Sequence, residues 1–534
     1  MNISDKILKL RKEKGLSQEA LAEALGVSRQ SVSKWESGAA LPDTDKIIAM
    51  SELFGVSTDY ILKDDPSETF IPTPDEPVEI PPAEEVKPMK KKKRNGKGKK
   101  IIKITAAILA LCIAVTAVAI PMYYGGIREA WWELNGGKIK YPYVFVHGLG
   151  GWGESEGINE TIQYWGGGTT DLKSYLVNEG YEVYMPSVGP ISSAWDRACE
   201  LYAQLTGTTV DYGEAHAKEH NHARYGRTYS APLFEGWGDK INGGQRVKIN
   251  LIGHSFGGAT VRLLTSLLEY GSEAEQLATG KETSPLFMGG KGDWVNSVTA
   301  LCAPHNGSSL TEVLNTVGGL VGIGDTTELL IKLCFGVAEI GSGASSVYDF
   351  KLDHFGISQV GSENAEMKSA ISAVTESGSD HAAYDLSPDG AAKLNSMIKT
   401  VEDVYYFSYS YSATKEGSFL RGQVPVAGIF PVLYPFAMAM GSFKGTTAGG
   451  IAIDETWQEN DGLVSVVSAR YPFNEPYSEF TEFPSEDAEI ARGIWHGAPT
   501  KEGDHGTVIG LNSQAEPTKN FYTDLFTMID SLER

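Results

Sequence analysis

Cysteine is scarce in this chain: four residues in 534, at positions 112, 199, 302 and 334. So few, spread so far apart, exclude a disulfide-stapled scaffold. A Cys302–Cys334 bridge is open, but buried thiols are the expectation. Cations are also in deficit, with 46 Lys and Arg against 68 Asp and Glu and a net charge of −22. The deficit is uneven. Residues 1–63 balance their charges, 64–89 are acidic, 90–103 are strongly basic, and the excess acid falls beyond residue 104. A larger part so poor in Lys and Arg excludes nucleic acid as its substrate, because phosphate backbones demand a basic surface. Histidine is absent before His147, so any chemistry that needs an imidazole belongs to the later part of the chain.

The length leaves room for two to four domains. Residues 1–63 read as a small all-helical unit. Ser17 caps a helix through Leu25, Gly26-Val27 makes a tight turn, and Ser28 caps a second helix to Ser37. This spacing is a helix-turn-helix, whose second helix would lie in a DNA major groove. The run Leu16-Ser17-Gln18 through Val27-Ser28-Arg29-Gln30-Ser31-Val32-Ser33-Lys34-Trp35-Glu36 resembles the Cro/C1-repressor-like family. That resemblance implies Arg29, Gln30, Ser31 and Lys34 facing bases or phosphates, Gln18 facing a phosphate, and Leu21, Val27, Val32 and Trp35 in the core. It also implies pairing as a homodimer on DNA. A helical bundle used for protein contacts is the competing reading.

Residues 64–100 cannot build a core. Seven prolines are interleaved with acids, and the segment closes on a Lys-rich cluster, which reads as an extended linker. Ile104 to Tyr124 then carries no charge over 21 residues. As a helix it would rise about 31 Å, the thickness of a bilayer core. A single transmembrane helix over 101–124 is therefore expected. The basic cluster before it places the N-terminus in the cytoplasm and the remainder outside the cell membrane.

From residue 138 to 534 the pattern is strand, turn and helix in alternation, the mark of an α/β sheet. Val144-Phe145-Val146 runs into His147-Gly148-Leu149, and Val247 to Ile252 runs into Gly253-His254-Ser255-Phe256-Gly257. A helical pattern follows, apolar at Ala259, Val261, Leu263, Leu264, Leu267 and Leu268. A strand ending in Gly-x-Ser-x-Gly before a helix exposes the serine hydroxyl on a sharp turn, as a nucleophile requires. The expected order is serine, acid, histidine, which leaves His496 and His505 as bases. Asp461, in an Asp-Gly turn, is one of several acids open by position.

The runs Trp195-Asp-Arg-Ala-Cys-Glu200, Val210-Asp-Tyr-Gly213, His222-Ala-Arg-Tyr-Gly-Arg-Thr-Tyr229, Ala303-Pro-His-Asn-Gly307, Val347 to Asp353 and Glu459-Asn-Asp-Gly462 carry a further resemblance. From about Tyr141 on, the chain is similar to the staphylococcal and thermoalkalophilic Bacillus/Geobacillus secreted lipases. The resemblance implies an α/β-hydrolase fold with a zinc-containing insertion and a lid, the latter over about Val313 to Ile340. It implies Ser255 as nucleophile, Asp461 as acid and His505 as base, with the N–H groups of Leu149 and Phe256 forming the oxyanion hole. A structural zinc would be held by Asp196, His216, His222 and Asp380. The family's calcium ligands fall at Thr507 and Asn512, which lack carboxylates, with Ser513 for the adjacent proline, so calcium binding is not expected. Two readings of the whole chain follow. One is a membrane-anchored extracellular lipase on acylglycerol esters with a cytoplasmic DNA-binding module. The other is a membrane-bound transcriptional regulator whose hydrolase-like part senses lipids or esters.

Overall fold

The computed structural model describes most of residues 3–56. It also describes residues 140–321, 349–357 and 372–532, apart from short gaps at 242–243, 418–421 and 485–488. The chain divides into two units, Met1–Lys100 and Ile101–Arg534.

In the first unit, helices α1 (Ile3–Glu13), α2 (Gln18–Ala24), α3 (Arg29–Ser37) and α4 (Thr44–Phe54) enclose one small core. Ile7, Leu10, Leu21, Val32, Trp35, Met50 and Phe54 are buried in it, and Val27 packs at its edge. The α2 start follows from Ser17, whose Oγ accepts the Ala20 N–H at 3.1 Å and so satisfies a free first-turn donor.

The second unit is built on seven strands: β1 (Tyr143–Val146), β2 (Val183–Tyr184), β3 (Ile249–His254), β4 (Val295–Leu301), β5 (Tyr405–Tyr409), β6 (Tyr477–Glu479) and β7 (Trp495–Gly497). They lie in the order β6-β7-β5-β4-β3-β1-β2. Every neighbouring pair is parallel. A parallel sheet is covered on both faces, which is why β1, β3, β4 and β5 are buried at every position, including polar residues such as Asn250, Ser297 and Ser408.

Strand alternation divides the core. Val144, Val146, Ile249 and Leu251 meet Leu263, Leu264 and Leu267 of helix α8 (Phe256–Tyr270) on one face. Tyr143, Phe145, Ile252 and Phe407 meet Tyr522, Leu525 and Phe526 of the last helix, α10 (Ala515–Leu532), on the other. Tyr143 stacks on Phe526 at 3.5 Å between ring centroids and donates its hydroxyl to Asp530 at 2.7 Å. Helix α5 (Leu172–Asn178) lies between β1 and β2, and α6 (Ala194–Thr206) and α7 (Glu214–His220) lie between β2 and β3; α8 follows β3 and α9 (Ser309–Val321) follows β4.

The expected transmembrane helix, and the single-pass localisation built on it, are corrected. No helix among the described residues is long and apolar enough to cross a membrane, and 101–124 itself lies outside them, as does the linker 64–100. A span needs about 20 apolar residues in one helix. The 18-residue α10 is instead amphipathic, burying Phe521, Tyr522, Leu525 and Phe526 while Glu516, Lys519 and Asp524 interrupt its apolar pattern.

Candidate active site

The turn between β3 and α8 places Ser255 at φ 55° and ψ −127°, a conformation that costs a non-glycine residue about 1–3 kcal/mol. Its neighbours explain why the chain can tolerate this. A Cβ on Gly253 would lie 2.4 Å from the Gly257 carbonyl oxygen, and one on Gly257 would lie 2.1 Å from that of Val146. Only hydrogen atoms fit there. The Ser255 N–H donates to the Leu301 carbonyl at 2.8 Å, so the end of β4 holds the strained residue in place.

His505 and Asp461 meet across 44 residues of chain, the Nδ1–Oδ2 distance being 2.8 Å. The second Asp461 oxygen accepts the N–H groups of Leu463 at 2.9 Å and Val464 at 2.7 Å, and the Asp461 carbonyl accepts the His505 N–H at 2.9 Å. A carboxylate at Nδ1 holds the proton there and leaves Nε2 as a base. His496, the other histidine open from sequence, contacts the Phe407 and Phe480 rings at 5.9 and 5.8 Å and bonds the Ala491 carbonyl. It is a core residue. Cys302, at φ 50° and fully buried, was not anticipated beside the acid; its Sγ lies within 4.8 Å of the ligand atoms of Asp461 and His505. Burial first, and Asp461 second, push the Cys302 thiol well above its usual range, so it stays protonated.

Ser255, His505 and Leu149 line one cavity of about 420 Å³. Its walls are apolar, including Trp152, Ile162, Leu310, Leu314, Phe430 and Phe436. Leu310 and Leu314 stand on α9, the start of the expected lid; 322–348 lie outside the described residues.

Gly148 donates its N–H to Tyr164 Oη at 2.9 Å and Gly150 donates to the Pro190 carbonyl at 2.9 Å. The intervening Leu149 N–H has no partner among the described residues. Phe256 opens α8, so its N–H lies among the first-turn donors that a helix leaves unpaired. Arg197, fully buried on α6, braces this loop. It donates to the carbonyl oxygens of His147 and of Gly189 (2.9 Å) and to Thr260 Oγ1 (2.9 Å), with its guanidinium 5.0 Å from the Phe256 ring. Sequence reasoning placed Arg197 in a matching run without foreseeing that role.

Asp196, His216, His222 and Asp380 also converge. His216 Nε2 lies 3.3 Å from Asp196 Oδ1 and 3.2 Å from Asp380 Oδ1, and His222 Nε2 lies 3.2 Å from Asp380 Oδ2. None of these atoms has an aligned hydrogen-bond partner among the described residues, although all are buried. His222 Nδ1 faces the Ala223 carbonyl at 2.9 Å, which fixes its proton there and turns the Nε2 lone pair toward a carboxylate. Four donors at about 2.0 Å from a tetrahedral ion are about 3.3 Å apart, so the set fits a cation at its centre. His354, unforeseen from sequence, lies 3.1 Å from the other Asp196 oxygen, and His220 bonds the Ser377 carbonyl instead of joining the cluster.

The calcium positions do not fit that ion. Among the described residues Asp504 is the one carboxylate in hydrogen-bond contact with them, and donors occupy both its oxygens: Gly506 N–H and Thr507 Oγ1 on one, Phe430 N–H and the Asn512 amide (2.7 Å) on the other. The same amide donates to the Gly428 carbonyl at 2.8 Å.

In the helical unit, Arg29 and Lys34 are exposed on α3 and Ser31 is half-buried; the Gln30 side chain lies outside the description. Gln18 is half-buried at the start of α2. Its amide donates to Glu36 at 2.8 Å, and Arg11 holds the same carboxylate, so Gln18 joins α2 to α3 inside the unit.

Residues 139–533 match the family model described as Lipase-like, C-terminal domain, and residues 7–61 match Helix-turn-helix. Lipase from Staphylococcus epidermidis is 33% identical over 382 residues, 70% of this chain and 51% of its own. Lipase 2 from Staphylococcus aureus is 34% identical over 399 residues, 72% and 53%. The chain thus spans about half the length of the curated relatives it matches. Among solved structures, EstA from Clostridium botulinum is similar at TM-score 0.64 and 36% identity, covering 74% of this chain and 88% of that one. Staphylococcus hyicus lipase gives 0.61 and 31%, covering 74% and 97%.

Proposed function

We propose, from the premise that this chain belongs to the lipase-like family through residues 139–533, that it is a serine-dependent carboxylic ester hydrolase of the lipase class acting on acylglycerol esters. The observation that carries the reading is the 2.8 Å contact of His505 with Asp461, with His505 and Ser255 lining the same apolar cavity. Ser255 Oγ attacks the ester carbonyl as His505 Nε2 takes its proton, and the oxyanion accepts the N–H groups of Leu149 and Phe256. Collapse expels the alcohol with that proton and leaves an acyl-serine. His505 then deprotonates a water, whose attack releases the fatty acid and restores Ser255. The cavity wall supports an apolar acyl chain as the bound group, since each methylene removed from water contributes about 0.8 kcal/mol. Asp196, His216, His222 and Asp380 would hold a structural zinc, which would supply positive charge between two buried carboxylates.

The N-terminal module binds DNA through α3, with Arg29, Gln30, Ser31 and Lys34 at the contact, pairing on two half-sites. Hydrolysis of a chromogenic long-chain ester by the full chain and by Ser255→Ala tests the enzyme. A loss of about 10⁴-fold or more is expected, and equal rates would end the reading. A salt-dependent gel shift that disappears in Arg29→Ala tests the module; no shift even at low salt would count against it.

A further inference from the structure

Two side chains outside the Ser255–His505–Asp461 set join its separate parts. Tyr164 accepts the Gly148 N–H at 2.9 Å, one residue before the Leu149 donor. The same hydroxyl lies 2.6 Å from Nδ1 of His254, the residue before Ser255. His254 Nε2 lies 3.0 Å from the carbonyl oxygen of His505. The ends of this chain fix its direction. A backbone N–H can only donate, so Tyr164 receives there and gives its own proton to His254 Nδ1. A carbonyl can only accept, so His254 carries its proton on Nε2. The neutral ring this demands is favoured by burial, and secondly by His505, both of which hold His254 well below the usual histidine range.

The surroundings keep the phenol in place. Its ring meets Trp152 and Trp165 edge-on at 5.5 and 5.3 Å. A Cβ on Gly151 would lie 2.6 Å from Tyr164 Cε2, so that loop must be glycine for the ring to approach. Bonds linked in one direction polarise one another and strengthen in a dry site.

We infer that Tyr164 and His254 form a positioning relay that sets the oxyanion loop, the nucleophile turn and the His505 main chain in one register for ester hydrolysis. The inference rests on the hydrolase reading above. Tyr164 and His254 are positioning residues: they act on the Leu149 N–H, Ser255 and His505 through the backbone.

Tyr164→Phe keeps the ring and removes both hydroxyl bonds; His254→Gln keeps an N–H donor for the His505 carbonyl but offers Tyr164 no aligned acceptor. On the full chain with a chromogenic ester, each is expected to lower kcat by about 10- to 100-fold, less than deletion of an oxyanion donor, with KM within about twofold. Because both changes break one chain, the double variant should fall little further than either single one. Multiplying losses, or a Tyr164→Phe kcat within twofold of wild type, would overturn the relay. Ser255→Ala in the same assay separates the two levels: if wild type and Ser255→Ala are equal, the hydrolase reading fails and the kinetic role of the relay with it. The ¹⁵N shifts of the His254 ring report independently of turnover and of any variant that fails to fold. They should show a neutral Nε2–H tautomer in wild type, and an Nδ1–H tautomer would refute the assignment.

Discussion

Replacing Asp461 by Asn removes one charge and almost no volume, and the structure dictates how the new amide must sit. Two backbone N–H groups, from Leu463 and Val464, point at one carboxylate oxygen at 2.9 and 2.7 Å. An amide NH₂ facing them would leave two buried donors without acceptors, at about 1–3 kcal/mol each. The amide oxygen therefore stays with the backbone, and the NH₂ faces His505 Nδ1. That nitrogen must then accept, so the ring proton moves to Nε2, where it blocks uptake of the Ser255 proton. A wrong-tautomer histidine lowers kcat by about 10⁴-fold in the worked serine-protease case, or about 5.5 kcal/mol of barrier. The same loss is expected here in single-turnover hydrolysis of a chromogenic ester, with the thermal midpoint nearly unchanged because the backbone bonds survive. If Asp461→Asn keeps more than about a tenth of the wild-type rate while folded, the role of Asp461 as orienting acid is wrong.

Elemental analysis should find one zinc per chain, falling below about a tenth in Asp380→Ala with a midpoint lowered by several degrees; full metal retention in that variant would remove Asp380 from the ligand set. Titration calorimetry with Ca²⁺ should show no micromolar binding at the Asp504–Asn512 loop, since donors already occupy both Asp504 oxygens, and a micromolar isotherm there would contradict this. Burial would raise the Glu36 carboxyl, but hydrogen bonds from Arg11 and Gln18 outweigh it and hold it below the ordinary 4.5. A depressed carboxyl adds stability that is present above pH 4.5 and lost as pH falls through the folded value. Hydrogen-exchange protection of α2 and α3 should therefore fall on acidification below pH 4.5 in wild type and more weakly in Glu36→Gln, and equal slopes would exclude the linkage.

The parts of the site that were legible in advance are those whose causes lie within a few residues. The Ser255 turn follows from Gly253 and Gly257, because crowding against Val146 and the turn's own carbonyls forbids a Cβ. The β1 and β3 runs and the cap at Ser17 are local in the same sense. Tyr164 could not be read this way: a tyrosine in a loop carries no spacing signal, and its partners, Gly148 and His254, lie 16 and 90 residues away. His354 likewise had no motif linking it to Asp196. Nor does the sequence show that Glu36 stands within reach of the Gln18 amide.

The membrane span fails for a related reason. Freedom from charge over 21 residues is a statement about composition alone, and no helix among the described residues is long and apolar enough to cross a membrane. The amino-acid order by itself determined two folding units, the strand–turn–helix around a serine and the residue types able to serve as acid, base and metal ligands. Which of those residues work together was decided by the sheet. Pairing β3 with β4 brings Leu301 to the turn of Ser255, and pairing β5 with β7 carries the chain that leads to His505 into the same sheet. Hydrogen bonds then join His505 to Asp461 and to His254 by distance in space, whatever their separation along the chain.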